Sequence, residues 1–139
     1  MNQFVLDAFV AVEWVASASA DPYALAVQAR VQAGWGAVVP LLWPWEVANA
    51  VLMLERRRVL TSVEANQGLS ELERFFSSKA QVKETPVTMS RLVELARSYQ
   101  LTVYDTTYLE LAQREDLPLA TLDGSLRAAA LNVGVSLLK

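Results

Sequence analysis

The sequence predicts an α/β domain of three layers (α/β/α), in which helices cover both faces of a mostly parallel central sheet. The first observation is that short runs of β-branched and apolar residues alternate with longer segments of helical periodicity. The second is the order of these segments, because strands that are separated by helices usually pair in parallel. The third is that the 139 residues contain no linker, internal repeat or low-complexity segment, so a single domain spans residues 1–139.

The first half of the chain predicts two strands and three helices. Asp21 precedes Pro22, which is the pattern of an N-cap followed by proline at the first helical position, and Gly34 ends the helix that begins there. In chain order, the predicted elements are a strand at 3–6, helices at 9–16 and 22–34, a strand at 38–39 and a helix at 44–58.

The second half predicts further helices between short strands. Thr61 and Glu64 have the spacing of a capping box and open a helix that continues to about residue 77. Pro86 interrupts a weak strand at 82–87, because proline cannot donate a ladder hydrogen bond. The remaining predicted elements are helices at 90–99 and 103–115, a strand at 119–122, a helix at 125–131 that ends near Gly134, and a last strand at 135–138.

The composition excludes several kinds of chemistry. The chain has no histidine and no cysteine, which excludes the usual general base, thiol nucleophiles, disulfides and the standard zinc ligand sets. The net charge of −3 argues against a broad basic face, so a nucleic-acid substrate would need a local patch or a bound metal. The first residues lack the positive flank of a signal peptide, and prolines interrupt the longest apolar run at 37–45, so we expect a soluble cytoplasmic protein that does not enter a membrane.

Four acidic residues lie in unusually apolar surroundings. They are Asp7, Glu46, Asp105 and Asp123. Taken one at a time, each also fits helix capping, because each lies at or near a predicted helix start, where a carboxylate accepts hydrogen bonds from free N–H groups and complements the helix dipole. Capping therefore stays open as the interpretation of any single acid.

Considered together, the acids predict a cation site. The carboxyl ends of parallel strands meet at one edge of a sheet, so Asp7 and Asp123, which follow predicted strands, should both reach it. Asp105 shares a helical stripe with Leu109 and Ala112 and should therefore point toward the protein body. Clustered carboxylates repel unless they are protonated or share a cation, and Mg²⁺ or Mn²⁺ prefers oxygen ligands. We therefore expect Mg²⁺ or Mn²⁺ as the cofactor.

Two further residues accompany the acids. Asn49 lies one turn after Glu46, so an amide and a carboxylate are presented together on the predicted helix. Arg127, four residues after Asp123, is a candidate for binding a substrate phosphate, and a plain ion pair with a nearby carboxylate is the alternative.

Four short strings carry a resemblance to a known family. In this order and at these separations, they are Phe4-Val5-Leu6-Asp7-Ala8, Glu46-Val47-Ala48-Asn49-Ala50, Tyr104-Asp105-Thr106-Thr107-Tyr108 and Thr121-Leu122-Asp123. Together they closely resemble the PIN domain, in particular the VapC-type toxins, over essentially the whole chain.

The resemblance implies a toxin that is a metal-dependent endoribonuclease and cleaves RNA phosphodiesters with carboxylate-bound Mg²⁺ or Mn²⁺. The residues it implies are Asp7, Glu46, Asp105 and Asp123 as catalytic and metal-binding acids, with Asn49 and Thr121 in support. It also implies a cognate antitoxin protein and a homodimer. In such a site we expect Asp7 and Asp123 to bind metal directly, and the other two acids to act through water or as proton acceptors. One or two ions fit this chemistry.

One position departs from the family pattern. VapC-type toxins commonly carry Ser or Thr two residues after the first Asp, where this chain has Phe9. If that hydroxyl orients the carboxylate, either Thr121 or Thr106 takes its place or the reaction is slow. The alternative function is therefore a non-catalytic PIN-like module that binds RNA or a protein partner.

Other acid-rich α/β proteins fit the sequence less well. A phosphotransfer receiver domain needs a late lysine near its acids, and the lysines here are Lys79, Lys83 and Lys139. A phosphatase of the haloacid dehalogenase type would place a second Asp where Phe9 stands. A P-loop enzyme needs a glycine-rich loop that ends in lysine, and the sequence has none.

Overall fold

The computed structural model describes residues 2–16, 20–84 and 86–139, and every predicted helix is found there with ends within two residues of the prediction. The elements are strand β1 (Gln3–Leu6), helices α1 (Ala8–Ala16) and α2 (Pro22–Gln32), strand β2 (Gly36–Pro40), helices α3 (Trp43–Arg56) and α4 (Ser62–Lys79), strand β3 (Ala80–Lys83), helices α5 (Met89–Tyr99) and α6 (Val103–Glu115), strand β4 (Leu119–Ala120) and helix α7 (Gly124–Asn132). Among the described residues, no helix combines the length and the apolar character that a membrane span requires.

The strands form a sheet in the order β3-β2-β1-β4, and every pairing is parallel. Phe4, Val5 and Leu6 of β1 are all fully buried. Because successive side chains of a strand point to opposite faces, other layers must cover the centre of the sheet on both sides. The predicted three-layer α/β/α fold is therefore confirmed, with a described sheet that is entirely parallel.

Strand β3 begins earlier than the sequence predicts, at 80–83 instead of 82–87. Helix α4 continues to Lys79, and the strand starts at the next residue, where Ala80 pairs with Ala37 of β2. The pairing ends where Lys83 meets Pro40, the last residue of β2, so β2 offers no partner to the residues that follow.

The predicted strand at 135–138 is wrong, because this segment makes only an isolated bridge between Leu119 and Leu137. The N–H of Leu119 donates to the carbonyl oxygen of Ser136 at 2.9 Å, and the N–H of Leu138 donates to that of Leu119 at 2.9 Å. Since β4 has only two residues, it offers the terminal segment one pair of hydrogen bonds and no longer ladder.

The predicted helix caps fix where two helices begin. The Asp21 side chain accepts a hydrogen bond of 2.8 Å from the N–H of Tyr23 at the start of α2. At the start of α4, the Thr61 hydroxyl accepts from the N–H of Glu64 at 3.1 Å, and the Glu64 carboxylate accepts from the N–H of Thr61 at 2.9 Å. The predicted capping box is therefore confirmed.

Candidate active site

Asp7 and Asp123 lie at the carboxyl edge of the sheet, after the adjacent strands β1 and β4. Asp7 is 2% exposed, and its Oδ2 accepts a hydrogen bond of 2.7 Å from the Thr121 hydroxyl. The Thr121 oxygen in turn accepts a hydrogen bond of 3.1 Å from the backbone N–H of Asp123. The fully buried Thr121 therefore ties the two strand ends together and fixes how the first acid is presented.

Asp123 also caps helix α7, because its Oδ1 accepts a hydrogen bond of 2.9 Å from the N–H of Leu126. The capping interpretation is thus correct for this oxygen. Asp123 is exposed. A carboxylate has about four acceptor sites, so one cap bond leaves Asp123 able to accept further bonds or to bind a cation.

Glu46 lies in the first turn of α3 and is held from α6 by a residue that the sequence did not single out. The buried Tyr108 hydroxyl donates a hydrogen bond of 2.6 Å to Glu46 Oε1. Burial raises the pKa of Glu46, the tyrosine bond lowers it, and the charge of Asp105 raises it. Burial and the bond to Glu46 also raise the pKa of Tyr108 above its ordinary value, so this hydroxyl stays protonated as a donor. Its position one turn after Asp105 was the signal that could have identified it.

The pKa of the Asp7 carboxyl is far above its ordinary value of 3.8. Burial raises it to about 6, even though the Thr121 hydroxyl and the N–H of Phe9, which lies 3.4 Å from Oδ1, favour the charged form. The negative charges of Asp105 and Glu46 raise it further. The ionised form of Asp7 is therefore disfavoured unless a positive charge compensates it.

Asp105 connects the acids electrostatically. It is half-buried in the first turn of α6, as its predicted direction toward the protein body requires. Burial raises its pKa, the negative charge of Asp123 raises it further, and the Thr102 hydroxyl lowers it. Since the charge of Asp105 also acts on Asp7 and Glu46, the structure brings all four predicted acids into one electrostatic group.

The chemistry of these donors fits a hard divalent cation. Among the described residues, no three acids are arranged so that they could hold an ion by themselves. Mg²⁺ does not require such a cage, because it usually keeps several waters and binds one or two carboxylates together with substrate phosphates. Burial is the main cause of the raised pKa values of Asp7, Glu46 and Asp105, and a bound cation would favour their charged forms.

The other predicted residues lie beside the acids. Asn49 is exposed and lines a cavity with Glu46. Arg127 donates a hydrogen bond of 2.7 Å from Nη1 to the carbonyl oxygen of Thr121, and its guanidinium lies 5.0 Å from the centre of the Tyr23 ring. Arg127 thus contacts a carbonyl oxygen and an aromatic ring. Among the described residues it forms no ion pair with a carboxylate, which was the alternative to its role in phosphate binding.

Phe9, the residue in the family's hydroxyl position, is 51% exposed and contacts Asp7 through its backbone N–H. Of the two hydroxyls that could replace the missing one, only that of Thr121 is bonded to Asp7. The Thr106 hydroxyl donates instead to the carbonyl oxygen of Thr102 at 2.7 Å. Of the two candidates, Thr121 is therefore the one whose hydroxyl contacts the first acid.

Comparisons with known proteins identify the fold and the family. The crystal structure of PAE2754 from Pyrobaculum aerophilum is similar with a TM-score of 0.68 and 22% identity, over 92% of this chain and 79% of that chain. The crystal structure of FitAcB from Neisseria gonorrhoeae is similar with a TM-score of 0.66 and 18% identity, over 98% of this chain and 96% of that chain. At these identities the likeness shows the fold alone. No curated protein sequence matches the chain significantly. The PIN domain family matches residues 4–131, which include all four acids, and the chain therefore belongs to the PIN domain family.

Proposed function

We propose that this PIN domain protein is a metal-dependent endoribonuclease and the VapC-type toxin of a toxin–antitoxin pair. PIN domains are generally nucleases, and this chain carries the acids of the family motifs. The observation that supports the proposal most directly is the Thr121 hydroxyl, which bonds to Asp7 and accepts from Asp123 N–H at the carboxyl edge of the sheet. Open parallel α/β sheets bind their ligands at this edge.

Asp7 and Asp123 are the residues that would hold the cation, because both follow strand ends and share one supporting hydroxyl. A bound Mg²⁺ or Mn²⁺ would supply charge neutralisation at the phosphodiester and a lowered pKa for an attacking water. Thr121 keeps the buried Asp7 carboxylate in one orientation, so little rearrangement is needed when substrate arrives.

Glu46 is the proposed proton acceptor, because the chain has no histidine. Tyr108 occupies Oε1 and holds the side chain in place, so Oε2 is the oxygen that accepts the proton from the attacking water. The raised pKa of Glu46 makes it a better base near neutral pH than an ordinary glutamate. Asp105 increases this basicity through its charge.

The proposed partners are an RNA substrate, a cognate antitoxin and a second copy of the chain, in the cytoplasm. An antitoxin Arg or Lys placed among the four acids would compensate their charges in the way that a metal does. Antitoxin and metal should then compete. Titration of Mn²⁺ into the complex is expected to weaken antitoxin binding, and an affinity that is unaffected by Mn²⁺ and by Asp7→Asn would contradict this mode of inhibition.

Cleavage of RNA tests the nuclease itself. Wild-type protein with Mg²⁺ or Mn²⁺ is expected to cut RNA, and EDTA, Asp7→Asn or Asp123→Asn to abolish the cleavage. Asp116→Asn is the matched control, since Asp116 is exposed at the end of α6 in a left-handed conformation that asparagine tolerates. Cleavage that persists in EDTA, or in the Asp7→Asn variant, would refute the metal-dependent mechanism.

Metal binding can be tested without activity. Mg²⁺ or Mn²⁺ is expected to raise the melting temperature of the wild-type protein but not that of the Asp7→Asn/Asp123→Asn double variant. An equal response in both proteins would show that the ions bind elsewhere.

A non-catalytic PIN-like module that binds RNA or a protein is the second candidate. It is favoured by Phe9, which replaces the hydroxyl residue of the family pattern. RNA binding without metal-dependent cleavage would support the module, whereas cleavage by the purified chain would exclude it.

A further inference from the structure

Two large aromatic side chains are exposed directly beside the acids. Trp45 is 67% exposed and precedes Glu46, and Tyr104 is 64% exposed and precedes Asp105. Although they lie on different helices, α3 and α6, they line one cavity. Exposed aromatic surface in a cleft commonly marks a binding site.

The structure also shows that Trp45 is not needed for the core. Trp43, two residues earlier on α3, is 1% exposed and stacks on Phe76 with ring centres 5.4 Å apart. The same helix therefore places one tryptophan in the core and turns the next toward solvent. Packing in the core accounts for the ring of Trp43, whereas the ring of Trp45 remains free to bind a ligand.

The cavity has the size and chemistry of a site for one nucleobase. Its volume is about 450 Å³, and its lining includes the Glu46 carboxylate and the Asn49 amide besides the two rings. Aromatic side chains stack on bases, and an amide both donates and accepts hydrogen bonds at a base edge. The exocyclic amino groups of adenine, cytosine and guanine are donors that match the amide oxygen of Asn49.

We infer that Trp45 and Tyr104 form a stacking site for an unpaired base of the RNA substrate, next to the phosphodiester that is cut. The inference rests on the proposed function, and it deepens it by assigning the place beside the acids where a base of the substrate binds. A base inside a duplex has both faces covered by its neighbours and cannot enter the cavity. Asn49 then contacts the edge of the bound base and contributes sequence preference.

Fluorescence titration tests the stacking site. A six-nucleotide single-stranded RNA is added to the Asp7→Asn variant in the presence of Mg²⁺, and gels show whether the RNA stays intact. The same sequence as a blunt duplex serves as the comparison. The single strand is expected to quench tryptophan fluorescence and the duplex is not. Trp45→Phe should abolish most of the quenching but retain binding, since phenylalanine also stacks.

Removal of the rings gives the decisive measurement. Stacking contributes about 1–3 kcal/mol per base, so Trp45→Ala and Tyr104→Ala should each weaken single-strand binding by roughly 5- to 150-fold. Met89→Ala is the control, because Met89 is an exposed apolar residue that does not line the cavity. Unchanged melting temperatures would establish that the exposed rings do not support the fold.

The outcomes separate this inference from the nuclease proposal. Ring-dependent binding of single-stranded RNA without any cleavage would support the stacking site and refute the nuclease. Cleavage by the wild-type protein with an unchanged KM for single-stranded RNA in the Trp45→Ala/Tyr104→Ala variant would refute the stacking site and retain the nuclease. Normal RNA binding by that variant, together with loss of binding to a protein inhibitor, would reassign the cavity to a protein partner and overturn the inference.

Discussion

Replacing Asp7 by asparagine is expected to stabilise the metal-free protein at neutral pH, although it removes the first acid of the site. Burial raises the pKa of Asp7 from 3.8 to about 6. At 1.36 kcal/mol for each pH unit, ionising this buried carboxyl costs about 3 kcal/mol of folding free energy. Asparagine avoids this cost but loses the weak 3.4 Å bond from the N–H of Phe9, worth about 1 kcal/mol. The net expected gain is about 2 kcal/mol.

The gain depends on pH in a definite direction. Because the pKa of Asp7 is higher in the folded than in the unfolded protein, the fold favours the protonated form, and this contribution is complete below pH 3.8. It is lost as the pH rises through about 6. Asp7→Asn should therefore be more stable than wild type at pH 8, and equal or less stable at pH 4.

Thermal unfolding in EDTA at several pH values measures this effect. A gain of about 2 kcal/mol corresponds to a rise in melting temperature of about 6 °C at pH 8 for a domain of this size. Asp116→Asn, at an exposed position, controls for the substitution itself. With Mg²⁺ at about 100 times its Kd, wild type gains about 2.7 kcal/mol and the order reverses. A variant that is less stable than wild type by the same amount from pH 4 to pH 8 would refute the argument that burial and ionisation conflict at Asp7.

Three other substitutions test the supporting residues. Tyr108→Phe removes the hydrogen bond that lowers the pKa of Glu46, so the acidic limb of the pH–rate profile should move to higher pH, and an unmoved limb would contradict the role of Glu46 as base. Thr121→Val leaves the buried Asp7 carboxylate without its hydroxyl donor and should lower the free energy of unfolding by about 1–3 kcal/mol, more at pH 8 than at pH 4, as chemical denaturation will show. Phe9→Ser should leave the cleavage rate unchanged, because Thr121 already supplies a hydroxyl to Asp7. A rise of about 10-fold, which corresponds to a barrier lower by about 1.4 kcal/mol, would show that the lack of a hydroxyl at position 9 limits the reaction.

The sequence predicted the fold where local patterns and burial agree. The apolar run Phe4-Val5-Leu6 is buried throughout, as a strand covered on both faces requires, and the caps at Asp21 and Thr61 define their helices correctly. Strand ends were less predictable because they depend on the partner. The register of β2 sets where β3 begins, and the shortness of β4 prevents a last strand at 135–138.

The candidate site could also be predicted only in part from the sequence. The acids could be identified from the sequence because a charge after an apolar run is unusual, and Thr121 came from the family resemblance. Tyr108 could not be assigned its contact, because it bonds to Glu46 across 62 positions of sequence and its local pattern also fits an ordinary core tyrosine. The exposure of Trp45 was not predicted from the sequence, because hydropathy alone does not distinguish this residue from the buried Trp43.

The central position of β1 determines when the acid edge can form during protein synthesis. Strand β1 is made first, but one of its neighbours, β4, consists of residues 119–120, and the bond from Thr121 to Asp7 spans 114 positions. Such long-range pairing is slow, and it cannot occur until residues 119–121 have left the ribosome. A shortened chain that lacks β4 would leave one edge of the apolar β1 unpaired, a surface that favours aggregation. The order of the strands therefore delays the contact between Asp7 and Thr121 until both β1 and β4 have been synthesised.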